Sequence, residues 1–355
     1  MNTVGKSKEH PGITASPQWT SWLKEHKISL MFSSYRLGKL FLTGLDQEEQ
    51  VSVFERDCIR VMGLCSVNSQ RVYMSTLYQI WHLENMVQED DPNKTVDCLF
   101  WPAAAYTTGN IAIHDMAVDS DGNLLFINSL FNCLCTLSKG FSFRPLWKPK
   151  FISELKAEDR CHLNGLAMKD GKAKYTTAVG ITDTVDGWRE HRTNGGILID
   201  LESDEIICQD LSMPHSPRWY RDKLWLLNSG TGDFGFMDLE KGRFEQVAFC
   251  PGYLRGLCFV GDFAVVGLSE SRHDPDFKGL PLFDRMKKHQ TQAFCGLQVI
   301  DLRSGKIVHS LDCLGKIKEI YDVISLPGIQ IPGKILNSLK ELRETFLIDD
   351  SEKIM

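Results

Sequence analysis

The chain has 355 residues, 43% of them hydrophobic and 24% charged, with a formal net charge of −6. That is the composition of an ordinary soluble globular protein with room for one large β domain or two ordinary ones, and its acidic balance gives no electrostatic reason to expect nucleic acid or an anionic membrane as partner. No run approaches the roughly 20 apolar residues of a membrane span, and the eleven cysteines, scattered through apolar runs such as "IRVMGLCSV", read as free buried thiols of a cytoplasmic protein rather than a disulfide framework or zinc ribbon.

The opening "MNTVGKSKEH" is polar, with no apolar h-region after it, so no signal peptide is expected. A short helix follows in "SPQWTSWLKEH", with Ser16 as its cap and Pro17 in its first turn. Residues 27–55 then supply three strand-like runs. From there the chain repeats itself: "MGLCSVNSQRVYMST" (62–76), "IHDMAVDSDGNLLFIN" (113–128), "LNGLAMKDGKAKYTTA" (163–178), "HSPRWYRDKLWLLN" (215–228) and "LRGLCFVGDFAVVG" (254–267) each pair two β-rich runs across a polar turn. "EIYDVISLPG" (319–328) supplies only the first strand of such a unit. Taking Met62, His114, Asn164, His215, Arg255 and Glu319 as equivalent, the intervals are 52, 50, 51, 40 and 64 residues.

A period near 40–50 residues built of alternating strands is the mark of a β-propeller with one four-stranded blade per repeat. The reading is an all-β, six-bladed propeller over residues 27–333. The sixth blade takes its first strand from the C-terminal side and the other three from residues 27–55, which ties the two ends of the ring together and removes an open sheet edge. Residues 1–26 form an extension with its helix, outside the ring, and loss of residues 1–15 is expected to be nearly harmless. "IPGKILNSLKELRETF" (331–346) predicts a helix, so 334–355 reads as a C-terminal helix and tail, and no linker divides the chain.

In a propeller the residue just before each first strand sits at the mouth of the central channel. His114, His215 and, two residues before Asn164, His162 therefore converge on one channel end, with Arg255 and Glu319 completing the ring. Imidazole, carboxylate and amide oxygen are groups that bind divalent metals. The expected ligands are His114, His162, His215 and Glu319, with Glu319 also a candidate general base and Arg255 a stabiliser of a carboxylate or developing oxyanion. Two long polar insertions, 180–196 and 269–294, are placed to act as lids. Trp188 and Arg189 in the first, and Arg272 and Arg285 in the second, could supply an apolar wall and an anion clamp, or simply pack on the ring; Asn164 joins Trp188, Arg189 and Arg272 as a substrate-binding candidate. "NSGTGDFG" lacks the phosphate-loop pattern and reads as a tight turn.

"HLNGLAM" and "HDMAVDSDGNLLFIN" resemble strand openings of the gluconolactonase and senescence-marker-type propellers, which hold a divalent cation at the channel mouth. The longer motifs "NSLFNCL", "GWREHRTNGG", "LSMPHSPRW", "LWLLNSGTG", "PGYLRGL" and "EIYDVISLPG" are similar to those of a conserved hypothetical bacterial six-bladed propeller family, from about residue 27 to 333. That resemblance implies the fold and no particular reaction. Of the Glu, Asn and Asp that hold the ion in the gluconolactonase group, Glu319 and Asn164 have counterparts here and the Asp has none. Histidines stand instead, which implies zinc, iron, manganese or copper rather than calcium. Two functions follow: a metal-dependent enzyme acting on a small polar metabolite, or a non-catalytic propeller that binds a peptide or protein.

Overall fold

The computed structural model describes residues 12–88, 91–270, 277–336 and 339–346. Its strands form six sheets, each built on four antiparallel strands in the order the repeats require, and two of them carry a fifth strand. Blade one spans Leu64–Thr107, blade two Ile113–Trp147, blade three Leu163–Leu211, blade four Pro214–Phe249 and blade five Tyr253–Cys313. Blade six is closed as expected: Asp322–Pro327 is innermost and pairs with Ile28–Ser34, followed outward by Lys39–Leu45 and Val51–Asp57. Its register runs from Ile28 opposite Pro327 to Ser33 opposite Asp322.

Period-two alternation explains why the sheets stack into a ring. On the strand Ile28–Ser34, Leu30 and Phe32 face blade five and pack with Val265, Leu297 and Val299. Met31, pointing the other way, packs with Leu64, Val72 and Met74 of blade one. A strand covered on both faces must be apolar on both, and every residue of this one is buried. Four further interfaces between blades repeat the arrangement around the ring, for example Leu125 and Ile127 of blade two against Leu163 and Leu166 of blade three.

Side chains at the channel stitch neighbouring first strands together. Asp115 accepts the backbone N–H of Leu166 at 3.0 Å, Ser216 that of Gly256 at 3.1 Å and Asp322 that of Leu64 at 2.8 Å. These tie blades two to three, four to five and six to one. Arg218 forks onto Asp115 at 2.7 and 3.0 Å below them. Gly256, at φ +75°, is a place where nothing larger fits: a Cβ there would lie 2.6 Å from Val323 N and 2.7 Å from Asp322 Cα.

Three details differ from the sequence reading. Ile13–Ala15 is a strand that pairs antiparallel with Leu311–Cys313 as a fifth, outer strand of blade five, so the N-terminal extension is partly inside the fold. The segment Pro332–Ile335 is also a strand, parallel to Cys98–Phe100 at the edge of blade one, and among the described residues the C-terminal helix is Leu339–Glu344. A β-sheet edge with unmet N–H and C=O groups outcompetes the helical pattern of that segment. The N-terminal helix runs from Trp19 to His26 without a side-chain cap. Ser16 instead spends its hydroxyl on the N–H of Ser310, holding the helix against blade five.

Candidate functional site

One end of the channel opens into a cavity of about 210 Å³ lined by residues that include Tyr35, Arg60, His114, Asp159, His162, Trp188, Arg189, Arg255 and Tyr321. A recurring backbone feature shapes its rim. Arg60, Ala112, His162 and Met213, each two residues before a first-strand position in four successive blades, have φ of +50°, +53°, +51° and +48°. All four line the cavity. A left-handed residue at this point swings the chain across the channel mouth before the strand begins.

The turn also fixes the imidazoles. His114 Nδ1 lies 2.9 Å from the carbonyl of Ala112, and His215 Nδ1 lies 2.8 Å from that of Met213. A carbonyl only accepts, so Nδ1 carries the proton in both rings and Nε2 keeps its lone pair. Ser129 donates its hydroxyl to the Leu163 carbonyl, and its oxygen stands 2.7 Å from His114 Nδ1 as a second acceptor. Burial, with His162 and then Arg255 adding to it, holds His114 well below the usual imidazole range. His215 is held there by burial and then by Arg255. Both rings are neutral at pH 7.

His162 is oriented differently. Its Nδ1 donates to Asp159 Oδ2 at 2.6 Å, its ring stacks on Trp188 at 4.3 Å, and it meets His114 edge-on at 4.8 Å. The segment before it is pinned by Arg160, which binds Glu158 at 2.7 Å and Asp183 at 2.6 Å. Trp188 belongs to the turn Gly187–His191 of the first insertion and is buried, with the Arg189 guanidinium 4.4 Å from its ring centroid.

Arg255 sits on the first strand of blade five, 7% exposed. Its guanidinium carbon lies 4.7 Å from the Tyr321 ring centroid and 5.3 Å from that of Tyr253. The side chain makes no hydrogen bond or ion pair among the described residues, and its buried Nε is without a partner. Burial raises the Tyr321 phenol well above its ordinary pKa, so it stays protonated.

The expected metal centre is not assembled. Among the described residues no three His, Cys, Asp or Glu side chains are grouped to hold an ion. Glu319 accepts the N–H of Arg36 at 3.0 Å and is not part of the cavity lining, and His215 is buried behind Met213 rather than in the wall. Arg255 adds a positive charge beside His114 and His215, which opposes binding of a second cation there. Asn164 is buried too, its Oδ1 accepting the Thr177 hydroxyl at 2.6 Å. Arg272 lies outside the described residues. Arg285 is drawn away to Asp233 and to the Thr231 carbonyl, pinning the helix Pro281–Lys288 to blade four. The two insertions join in one apolar cap over the ring, Trp188 and Met213 packing with Tyr253, Phe277 and Leu282.

Asp159, Arg60, Tyr35 and Tyr321 complete the wall and were not singled out in the sequence. Asp159 carries one usable signal, its place three residues before His162; the others become neighbours only through the closure of the ring.

A family model described as Domain of unknown function (DUF4915) matches residues 17–335. The chain belongs to that family. No curated protein matches. Among solved structures, a chain of a nidogen/laminin complex is 13% identical with a TM-score of 0.55, over 85% of this chain and 99% of that one. A protein of unknown function from Bacteroides caccae is 11% identical with a TM-score of 0.50, over 84% and 98%. A gluconolactonase from Xanthomonas campestris is 12% identical with a TM-score of 0.46, over 81% and 86%. The first two likenesses show the shared propeller fold of this DUF4915 chain. No helix among its described residues is long and apolar enough to cross a membrane.

Proposed function

We propose that the cavity is the active site of an enzyme that uses His162 as general base on a small polar substrate, most simply in hydrolysis of an ester or lactone. The observation that carries this reading is the Asp159–His162 pair: a carboxylate 2.6 Å from Nδ1 of an imidazole in the cavity wall. With Nδ1 protonated and held, the opposite nitrogen is the one free to take a proton. In hydrolysis His162 Nε2 removes a proton from water as the oxygen attacks the acyl carbon. The acyl C–O bond then breaks, and the imidazolium returns its proton to the departing alkoxide. Trp188, stacked on the ring, keeps it in the productive orientation and excludes water from one face.

With 4-nitrophenyl acetate and small lactones as probes, His162→Gln should lower turnover by about 10²–10⁴-fold, the usual worth of a positioned general base. Asp159→Asn should lower it comparably, because an amide that donates to Nδ1 leaves the proton on Nε2, the wrong tautomer for a base. Full activity in a folded His162→Gln protein would remove the reading and leave the non-catalytic binding propeller in its place. The protein is expected to carry no stoichiometric zinc, iron, manganese or copper by elemental analysis.

A further inference from the structure

We infer that Arg255 is the anchor for a carboxylate, so that the substrate of this site is a small monoanion bound by its carboxylate at Arg255 while its reacting group faces His162. This deepens the general-base reading and rests on it for the second half of the statement. A guanidinium is always charged, and a buried one is ordinarily paired. Arg255 is not: it stands against two aromatic faces and neutral imidazoles, and the buried Glu319, near enough to favour the cation, makes no hydrogen bond or ion pair with it and accepts the Arg36 N–H. Rings 4.7 and 5.3 Å away stabilise the cation through their π faces, yet they satisfy none of its N–H donors. Glu319 favours the charge without meeting the buried Nε–H, and Arg255 lines the cavity, where a carboxylate ligand would supply the acceptor.

The remaining charges agree. Among the described residues the wall carries three guanidinium groups, Arg60, Arg189 and Arg255, against the carboxylate of Asp159, with Asp186 3.3 Å from Arg189. Arg60 and Arg189 are exposed at the rim, where they draw an anion towards the mouth. Asp159 is occupied by His162 and repels a second negative charge placed near the reacting end. A planar carboxylate matches the guanidinium fork with two parallel hydrogen bonds, which a tetrahedral dianion at this single cation does only with its excess charge left unpaired. At about 210 Å³ the cavity is below the roughly 300–1,000 Å³ of sites for drug-sized ligands, which restricts the ligand to a few carbons.

Binding of acetate and glycolate to the full chain, followed by calorimetry and by the ligand-induced rise in Tm, tests the anchor without reference to turnover. Wild-type and His162→Gln proteins should bind these probes alike, while Arg255→Met should weaken binding at least ten-fold. Arg255→Met should also melt no lower than wild type without ligand, since it removes an unpaired buried charge, so a lost response cannot be laid to misfolding. Arg255→Lys should recover part of the binding through charge alone. Undiminished acetate and glycolate binding by Arg255→Met would overturn the anchor, as would tighter binding of inorganic phosphate than of either carboxylate. Loss of activity in His162→Gln with carboxylate binding unaffected by Arg255→Met would retain the general base and discard the anchor alone.

Discussion

The residues that shape the site do so from an unusual backbone state. Ala112, at φ +53°, has no side chain reaching for a partner, so its left-handed conformation is imposed by the fold rather than by its own chemistry. An L-residue with a Cβ is disfavoured there by about 1–2 kcal/mol, whereas glycine is not, and glycine's extra freedom in the unfolded chain returns about 0.5–1 kcal/mol of that. Ala112→Gly should therefore stabilise the protein by about 0.5–1 kcal/mol in urea unfolding, the reverse of the usual alanine-to-glycine effect. A destabilised variant would show that the backbone is not strained. The same conformation limited what could be read from sequence. Residues two apart on an extended chain share a side, which places His162 and Asn164 together; the left-handed turn at His162 separates them, sending one into the cavity and the other to Thr177.

At the scale of strands and blades most of the architecture was legible. Six repeats, their spacing and the closure by residues 27–55 all follow from period-two alternation and turn chemistry, because each blade must bury both faces against its neighbours. The outer fifth strands were not legible. Three and four residues carry too little pattern to register, and their partners lie about 300 and about 235 residues away in sequence. Which of the matched side chains come together was not legible for a related reason: repeat alignment finds equivalent positions but not where Glu319 finds a nearer backbone N–H. The strand Ile13–Ala15 has a measurable role. Ile13 is 7% exposed and packs with Leu311 and Cys313. Its burial contributes up to roughly 1.5–3 kcal/mol, offset in part by ordering the segment. Removing residues 1–15 should lower stability by about 1 kcal/mol and open the edge Ile307–Cys313, where Ile307 and Val308 are already 40% and 39% exposed. A lower urea midpoint and increased light scattering are expected; an unchanged midpoint would reduce the strand to an ornament of the edge.

The whole ring gathers titratable groups about its axis, and their opposite responses set how the fold answers acid. His114 and His215 are held neutral below the ordinary imidazole value of 6.5. Below that pH the unfolded chain binds two protons that the native one refuses, so stability falls as pH falls. Each group contributes a slope of up to about 1.4 kcal/mol per pH unit. Asp322 acts in the opposite sense. Burial pushes its carboxyl up from 3.8 to about 7, with Arg218 opposing and Asp115 adding to the rise. Between those values the native state keeps a proton that the unfolded chain has released, so stability falls as pH rises and the term offsets one of the two histidines. Asp322→Asn removes it while leaving an amide oxygen to accept the Leu64 N–H, now 2.8 Å from the carboxylate. All other groups are common to both proteins. Between about pH 4.5 and 6.5 the variant should therefore lose stability on acidification more steeply than wild type, by up to about 1.4 kcal/mol per pH unit. Urea unfolding at three pH values in that range measures the difference directly, and equal slopes would mean that Asp322 is ionised in the native ring across the whole window.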